Sequence, residues 1–139
     1  MASKDSSNGD RRSVVATAPC RADLAGSTLD LWPLYLFHPG AVTLNFAISV
    51  MTSCRVSPLP GKAIRLRSVD TDRDETYASF DDLCRAQRHE HTLGAKLVKY
   101  FAPEGGFLLE TKSESPAGAG IAGSSALMIA TTSALARYT

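Results

Sequence analysis

The chain has 139 residues, of which 44% are hydrophobic and 21% charged, a composition that predicts an ordinary globular domain or part of a larger protein. The net charge of +1 argues against nucleic acid or an anionic membrane surface as a partner. No apolar run is long enough for a bilayer span or a secretory signal, so we expect a cytoplasmic protein. The three cysteines include no CxxC pair, which predicts reduced thiols and no zinc site.

The first third of the chain moves from a polar leader into strand patterns. Residues 1–12 are small and polar and are predicted to be disordered. Residues 13–25 favour two short strands around a turn, or one strand with a break near Pro19. Residues 26–40 contain two prolines, the only tryptophan and several apolar side chains. We expect a long loop there, which either packs over another part of the protein or forms a small core of its own.

The next segments alternate in the manner of strands. Apolar residues recur at period two within 41–57, and residues 63–69 alternate apolar with basic side chains, which predicts two strands, the second with one solvated face. A polar turn is expected over 70–75. Because the connections are short, an antiparallel meander is the predicted arrangement.

The hydrophobic period changes after Ser79. Asp81 or Asp82 is the predicted cap of a helix that runs to about residue 102, where a proline and two glycines follow. A strand over 107–112 and a second helix from Ser124 complete the pattern. Strands followed by a helix, a strand and a helix predict an α+β fold.

The most informative segment reads S-P-A-G-A-G-I-A-G-S-S-A from Ser115 to Ala126. Glycines permit backbone conformations that a Cβ forbids, and they let main-chain N–H groups approach a ligand. The serines stand where the last helix should begin, and a helix start presents unpaired N–H groups and the positive end of the dipole. Together these features predict a phosphate-binding loop, in which a serine hydroxyl can ligate Mg²⁺.

Three interpretations of this loop compete. The first is a tight turn with Ser124 as the N-cap and no ligand. Gly118, Gly120 and Gly123 also spell GxGxxG, a dinucleotide motif, but that motif belongs in an early βαβ unit, and a strand meander precedes it here. The third interpretation is a triphosphate loop without a Walker lysine, since no GK[ST] ending is present.

The loop resembles the central motif of the galactokinase, homoserine kinase, mevalonate kinase and phosphomevalonate kinase superfamily, the GHMP kinases. That motif is usually written P-x-x-x-G-L-G-S-S-A. Gly120 and Ile121 match its Gly-Leu, and Ser124 to Ala126 match its Ser-Ser-Ala. One residue is extra, because Ala122-Gly123 stands where many members have a single glycine.

A second resemblance lies near the start of the chain. The segment A-P-C-R-A-D-L-A-G-S-T-L-D-L from Ala18 to Leu31 is similar to the first motif of galactokinases, A-P-G-R-V-N-L-I-G-E-H-T-D-Y. Cys20 replaces a glycine, Asp23 an asparagine, and Ser27-Thr28 the Glu-His pair. The small residues from Ala25 onward are closer to the heptose-phosphate kinase and glucuronokinase-like branches.

The resemblance implies an ATP- and Mg²⁺-dependent kinase that acts on a hydroxyl of a sugar or sugar phosphate. It implies that the nucleotide is bound by Pro116, Gly118, Ala119, Gly120, Ile121, Ala122, Gly123, Ser124 and Ser125. Of the two serines, Ser125 is expected to face the metal. It implies that Arg21 is the catalytic cation and that the substrate is bound by Asp23, Ser27, Thr28 and Asp30. Arg21 and Asp23 are two apart, so on a strand both face one side.

The resemblance also implies the ribosomal S5 domain 2-like fold of the superfamily. Members are much longer than this chain, so residues 13–139 are expected to form an incomplete N-terminal, ATP-binding domain, with the C-terminal domain absent and little activity alone. One alternative is a non-catalytic nucleotide- or anion-binding module of the same fold. Another is an RNA-binding structural domain, against which the near-neutral charge argues.

The other polar residues of interest are interpreted without a functional role. The histidines lack metal-ligand spacing and are predicted to be surface residues: His38, His89 and His91. The basic residues of the alternating strand are predicted to be solvated: Arg65 and Arg67. The aspartates that follow it lack the glycine and glutamate of a calcium loop and are predicted to form a wet turn: Asp70, Asp72 and Asp74.

Overall fold

The computed structural model describes residues 12–26, 28–29 and 31–139. Within them the strands are β1 (Val14–Ala25), β2 (Leu44–Leu59), β3 (Ile64–Ser68), β4 (Arg73–Tyr77) and β5 (Gly106–Ser113). The helices are α1 (Leu34–Phe37), α2 (Phe80–Arg85), α3 (Thr92–Phe101) and α4 (Gly123–Tyr138). The strands form one sheet in the order β1-β2-β5-β3-β4. The predicted α+β class is confirmed, and the predicted disordered leader over 1–12 lies almost wholly outside the described residues.

The N-terminal segment forms one irregular strand. β1 pairs antiparallel with β2, and the register shifts between Pro19 and Arg21 and again between Asp23 and Ala25. Of the two arrangements left open by the sequence, a single interrupted strand is therefore the one observed. The shifts fall on either side of Arg21 and Asp23, where irregular pairing can redirect side chains.

The predicted meander is wrong in the second half of the sheet. β5 lies between β2 and β3 and pairs antiparallel with β2 but parallel with β3. A parallel neighbour needs a crossover, and α2 and α3 supply it between β4 and β5. The predicted turn over 70–75 is also too long, since β4 begins at Arg73 and its Asp74 forms an ion pair with Arg65 of β3.

The single long helix predicted after Ser79 is two helices. Ser79 itself caps α2, since its hydroxyl accepts a hydrogen bond from the Asp82 amide, where Asp81 or Asp82 had been expected. The chain leaves the helix after Arg85 and begins α3 only at Thr92. Residues 86–91 separate the two helices, and His91 is buried and caps α3 with its own ring.

The core lies between the sheet and the helices α3 and α4. α4 packs on β1, β2 and β5 and against α3. The alternating strand residues that face the helices are buried: Ala16, Ala18, Cys20, Cys54, Val56, Ile64, Leu66, Phe107 and Leu109. Three of the six buried residues of α4 are alanines, whose small side chains let the helix lie close to the sheet. In the described part of the chain, no helix is long and apolar enough to cross a membrane.

Candidate active site

The glycine-rich loop between β5 and α4 is held in left-handed backbone conformations. Gly118 and Gly120 have φ values of +76° and +70°, and Ala122, the residue before α4, has a φ of +58°. A Cβ built on Gly118 or Gly120 would meet no atom within 4 Å. The space beside the loop is therefore open, and the two glycines leave room for a ligand to approach the main chain.

The start of α4 carries backbone N–H groups that lack helical acceptors. The Ala126 amide donates to the Ala122 carbonyl at 2.9 Å, which is the first helical hydrogen bond. Among the described residues no side chain caps this helix, and the amides of Gly123, Ser124 and Ser125 have no acceptor within the helix. Unpaired N–H groups and the positive end of the helix dipole point toward the open space, an arrangement that attracts anions.

These groups line a cavity of about 530 Å³. Its walls are the glycine-rich loop, the first turn of α4, the turn after β3, and the side chains of Arg21 and Asp23 from β1. The backbone amide of Arg21 donates to the Ile121 carbonyl at 3.1 Å, so β1 is joined directly to the loop.

Arg21 and Asp23 form the charged wall of the cavity. Their Nε and Oδ1 atoms are 3.0 Å apart, and Nη2 donates to Oδ2 at 3.4 Å. The prediction that the two residues share a side is confirmed. The ion pair and the hydrogen bond from Nη2 keep the guanidinium beside the carboxylate. An arginine beside amides without a helical acceptor is an arrangement that can bind an anion, and the carboxylates of Asp23 and Asp70 line the same cavity.

The structure brings together most of the residues that the sequence singled out. The cavity is lined by Arg21, Asp23, Pro116, Gly118, Ala119, Gly120, Ala122, Gly123 and Ser124. Ile121 contributes its carbonyl to Arg21 and packs its side chain against the core. Ser125 and Thr28 are exposed and lie outside the cavity lining. The predicted substrate residues Ser27 and Asp30 lie outside the described residues.

Asp70, which the sequence pattern placed in a wet turn, is a further polar residue of the cavity. Asp70 lines the cavity together with Ser113 and Ser115. It does so because β5 is inserted beside β3, so that the turn after β3 adjoins the start of the glycine-rich loop. Only the strand order, which the sequence pattern did not reveal, could have identified it.

A second correction concerns His91, which was predicted to be a surface residue. It is buried, and its Nδ1 accepts a hydrogen bond from the Gly94 amide at 3.2 Å, while Nε2 lies 2.8 Å from the Thr111 hydroxyl. Burial lowers the pKa of His91 below its usual 6.5, and a neutral ring with its proton on Nε2 satisfies both contacts. His91 is therefore the structural cap of α3 and takes no part in the cavity.

Buried thiols are also separate from the cavity. Cys20 and Cys54 are buried and Cys84 is exposed, and all three are free. Burial raises the pKa of Cys54 to about 12, so this thiol remains protonated and is a poor nucleophile. No covalent chemistry at cysteine is indicated.

Comparison with known proteins agrees with this geometry. Residues 88–139 match the family described as GHMP kinases N terminal domain. Among solved structures, a D-glycero-D-manno-heptose 1-phosphate kinase from Bacteriodes thetaiotaomicron is 24% identical, with a TM-score of 0.73 over 87% of this chain and 40% of that one. The Methanococcus jannaschii mevalonate kinase is 14% identical, with a TM-score of 0.71 over 93% and 41% of the two chains.

A third solved structure contains a nucleotide analogue. The Streptococcus pneumoniae phosphomevalonate kinase in complex with phosphomevalonate and AMPPNP is 13% identical, with a TM-score of 0.62 over 90% of this chain and 36% of that one. The chain thus spans about two-fifths of the length of these proteins. No curated protein matches the sequence. The family match covers residues 88–139, and the described chain has the fold of these kinases.

Proposed function

We propose that the protein is an ATP-dependent kinase that transfers the γ-phosphoryl group to a hydroxyl of a sugar or sugar phosphate. The observation that carries the proposal is the open cavity in which the unpaired amides at the start of α4 face Arg21. The AMPPNP complex of the phosphomevalonate kinase supports a nucleotide, and the heptose 1-phosphate kinase supports a sugar phosphate as acceptor.

The residues of the cavity fit a polyphosphate. The amides from Gly120 to Ser125 provide donors in series, and the open space over Gly118 and Gly120 admits phosphate oxygens close to the backbone. Bound ATP supplies the phosphoryl group. In the transfer, a bond forms between the acceptor oxygen and the γ-phosphorus while the bond to the bridging oxygen breaks, and ADP and one proton are released.

Arg21 and Asp23 have complementary roles in this proposal. The guanidinium stabilises negative charge on the transferred group, and the Asp23 carboxylate fixes its orientation through the 3.0 Å contact. Asp23 and Thr28, with Ser27 and Asp30, are the residues proposed to contact the acceptor. All four stand on β1 or directly after it in the sequence.

Magnesium is part of the same proposal, with Ser125 as the predicted ligand. In the described part of the chain, no cluster of three or more acidic, histidine or cysteine residues could hold a metal by itself. In this proposal a magnesium ion would be held by the phosphates of ATP and a serine hydroxyl, and it would neutralise charge on the phosphates. Ser124, which lines the cavity, is the other hydroxyl at the same helix start.

The test is a panel of sugars and sugar phosphates incubated with ATP and Mg²⁺ and the complete gene product, with ADP release as the readout. We expect phosphorylation of at least one member of the panel. Residues 1–139 alone are expected to transfer little phosphate, since they span about two-fifths of the related kinases. If no member of the panel is phosphorylated while ATP still binds, the kinase proposal fails and the non-catalytic nucleotide-binding module replaces it.

Matched serine variants identify the metal-facing hydroxyl. Ser125→Ala is expected to lower kcat by about 100-fold, as loss of one group that stabilises the transition state does. Ser124→Ala should have the smaller effect, and Ser133→Ala, later on the same helix, serves as the control. A binding module would lose only affinity in these variants. If Ser124→Ala alone lowers kcat, the metal role belongs to Ser124.

A further inference from the structure

The start of the glycine-rich loop is fixed to the turn after β3 by one carboxylate. Oδ1 of Asp70 accepts a hydrogen bond from the backbone amide of Ser113 at 3.1 Å, and the Ser68 hydroxyl donates to the same oxygen at 3.3 Å. Ser113 is the last residue of β5. The carboxylate therefore holds the residue at which the strand ends and the loop begins.

From Ser113 the contacts continue across the loop to the start of α4. The Ser113 hydroxyl accepts a hydrogen bond from the Ser115 amide at 3.2 Å. Ser115 in turn packs directly on Gly123, where an added Cβ would lie 2.6 Å from the Ser115 Oγ. The two ends of the loop thus meet at Ser115 and Gly123, and the position of this junction depends on Ser113.

The charge of Asp70 does not favour the proposed ligand. The residue lines the cavity that faces the loop amides, and a carboxylate there repels phosphate. Its contribution to a phosphate site must therefore come through the hydrogen bonds that it accepts. An asparagine can accept the same bonds through its side-chain oxygen and carries no charge, which separates the two effects.

We propose that Asp70 is a positioning residue of the glycine-rich loop, and that it sets the phosphate-binding geometry by holding Ser113 without itself contacting the ligand. The inference rests on the proposed function, because it concerns the loop assigned there to the triphosphate. It predicts that the hydrogen-bond acceptor at position 70 is required and that the negative charge is not.

The experiment compares Asp70→Asn and Asp70→Ala with wild type in the 139-residue chain. Inorganic tripolyphosphate, ATP and adenosine are titrated separately, with and without Mg²⁺, and followed by backbone amide chemical shifts. Asp70→Ala is expected to lower the affinities for tripolyphosphate and ATP by the same factor, about 10-fold, as loss of a hydrogen bond to a charged group does. Asp70→Asn should bind both at least as well as wild type.

The control is Asp72→Asn, which removes the same charge from the same turn at an exposed residue that does not line the cavity. The inference is overturned if Asp70→Ala binds tripolyphosphate as wild type does, or if Asp70→Asn and Asp70→Ala are equally impaired. A loss of adenosine binding in both variants would also overturn it, since that result places Asp70 on the nucleoside. A loss of affinity in Asp70→Ala that is seen only with Mg²⁺ present would mean that Asp70 acts on the metal, and it would overturn the inference as well.

Hydrogen exchange tests the positioning role without a ligand. In Asp70→Ala the amides of Ser113 and Ser115 are expected to exchange about 10-fold faster than in wild type, while Asp70→Asn stays close to wild type. If wild type binds no triphosphate but the Ser113 and Ser115 amides still exchange faster in Asp70→Ala, the proposed function fails and the positioning role of Asp70 stands. If amide exchange is unchanged in Asp70→Ala, the positioning role of Asp70 is wrong whatever the binding data show.

Discussion

Two helix starts in this fold use their backbone donors differently. At α3 the buried His91 ring accepts a hydrogen bond from the Gly94 amide and reaches the Thr111 hydroxyl. At α4 no side chain of the described residues caps the first turn, and the helix start borders a cavity of about 530 Å³. The first start contributes to the stability of the fold, whereas the second is exposed to solvent and available to an anion.

The largest expected effect comes from filling the space at the α4 start. Gly120→Val places a β-branched side chain at a φ of +70°, in the open space that we assign to phosphate. We expect affinity for tripolyphosphate to fall by about 100-fold or more, because backbone strain and steric blockage act together. Titration calorimetry or amide chemical shifts would measure it.

Gly61→Val is the matched control for that variant. Gly61 has a φ of +78° and open space around its Cβ position, but it stands in the turn between β2 and β3. Gly61→Val should lower the free energy of unfolding by a similar amount and leave the affinity for tripolyphosphate unchanged. Equal binding losses in the two variants would mean that general strain, and not blockage of the site, explains the result.

The next effect concerns the other helix start. His91→Ala removes the cap acceptor of α3 and the partner of the Thr111 hydroxyl, so the free energy of unfolding is expected to fall by about 2 kcal/mol. His38→Ala, at an exposed position, should change it little. Phosphate affinity should be unchanged in both variants, and a loss of affinity in His91→Ala would remove the distinction between the two helix starts.

Arg21→Lys tests the charged wall beside α4. Lysine keeps the positive charge but lacks the planar fork that contacts Asp23 through two nitrogens. We expect kcat of the complete gene product to fall by about 10-fold with little change in stability. Wild-type turnover in this variant would show that charge alone is sufficient at position 21.

The smallest effect is a pH dependence specific to the α3 start. Because burial lowers the pKa of His91 in the folded state below 6.5, the unfolded chain takes up a proton first as the pH falls. Stability is therefore expected to decrease as the pH falls below 6.5. Urea unfolding of wild type and His91→Asn at pH 7.5 and 5.5 measures it, and the variant should show the shallower decrease. Equal slopes would contradict the assignment of a neutral, capping His91.

What the sequence could predict follows from how local each interaction is. The glycine-rich loop and the start of α4 lie within one local stretch, residues 118–126, so the sequence predicts the loop and the helix. That the loop binds phosphate stays a prediction. Asp70 reaches that loop only because β5 is inserted between β2 and β3, and strand order depends on contacts between distant segments. His91 was missed for a similar reason, since its burial depends on Thr111 in a strand that comes later in the chain.

The most direct test of the account is an amide chemical-shift titration of the chain with MgATP and, separately, with tripolyphosphate. The account predicts that the amides of Gly120 to Ser125 shift most in both titrations, while those of Thr92 to Gly94 at the capped helix stay unchanged. Shifts that avoid residues 118–126, or none at millimolar ligand, would contradict the claim that the start of α4 binds a polyphosphate.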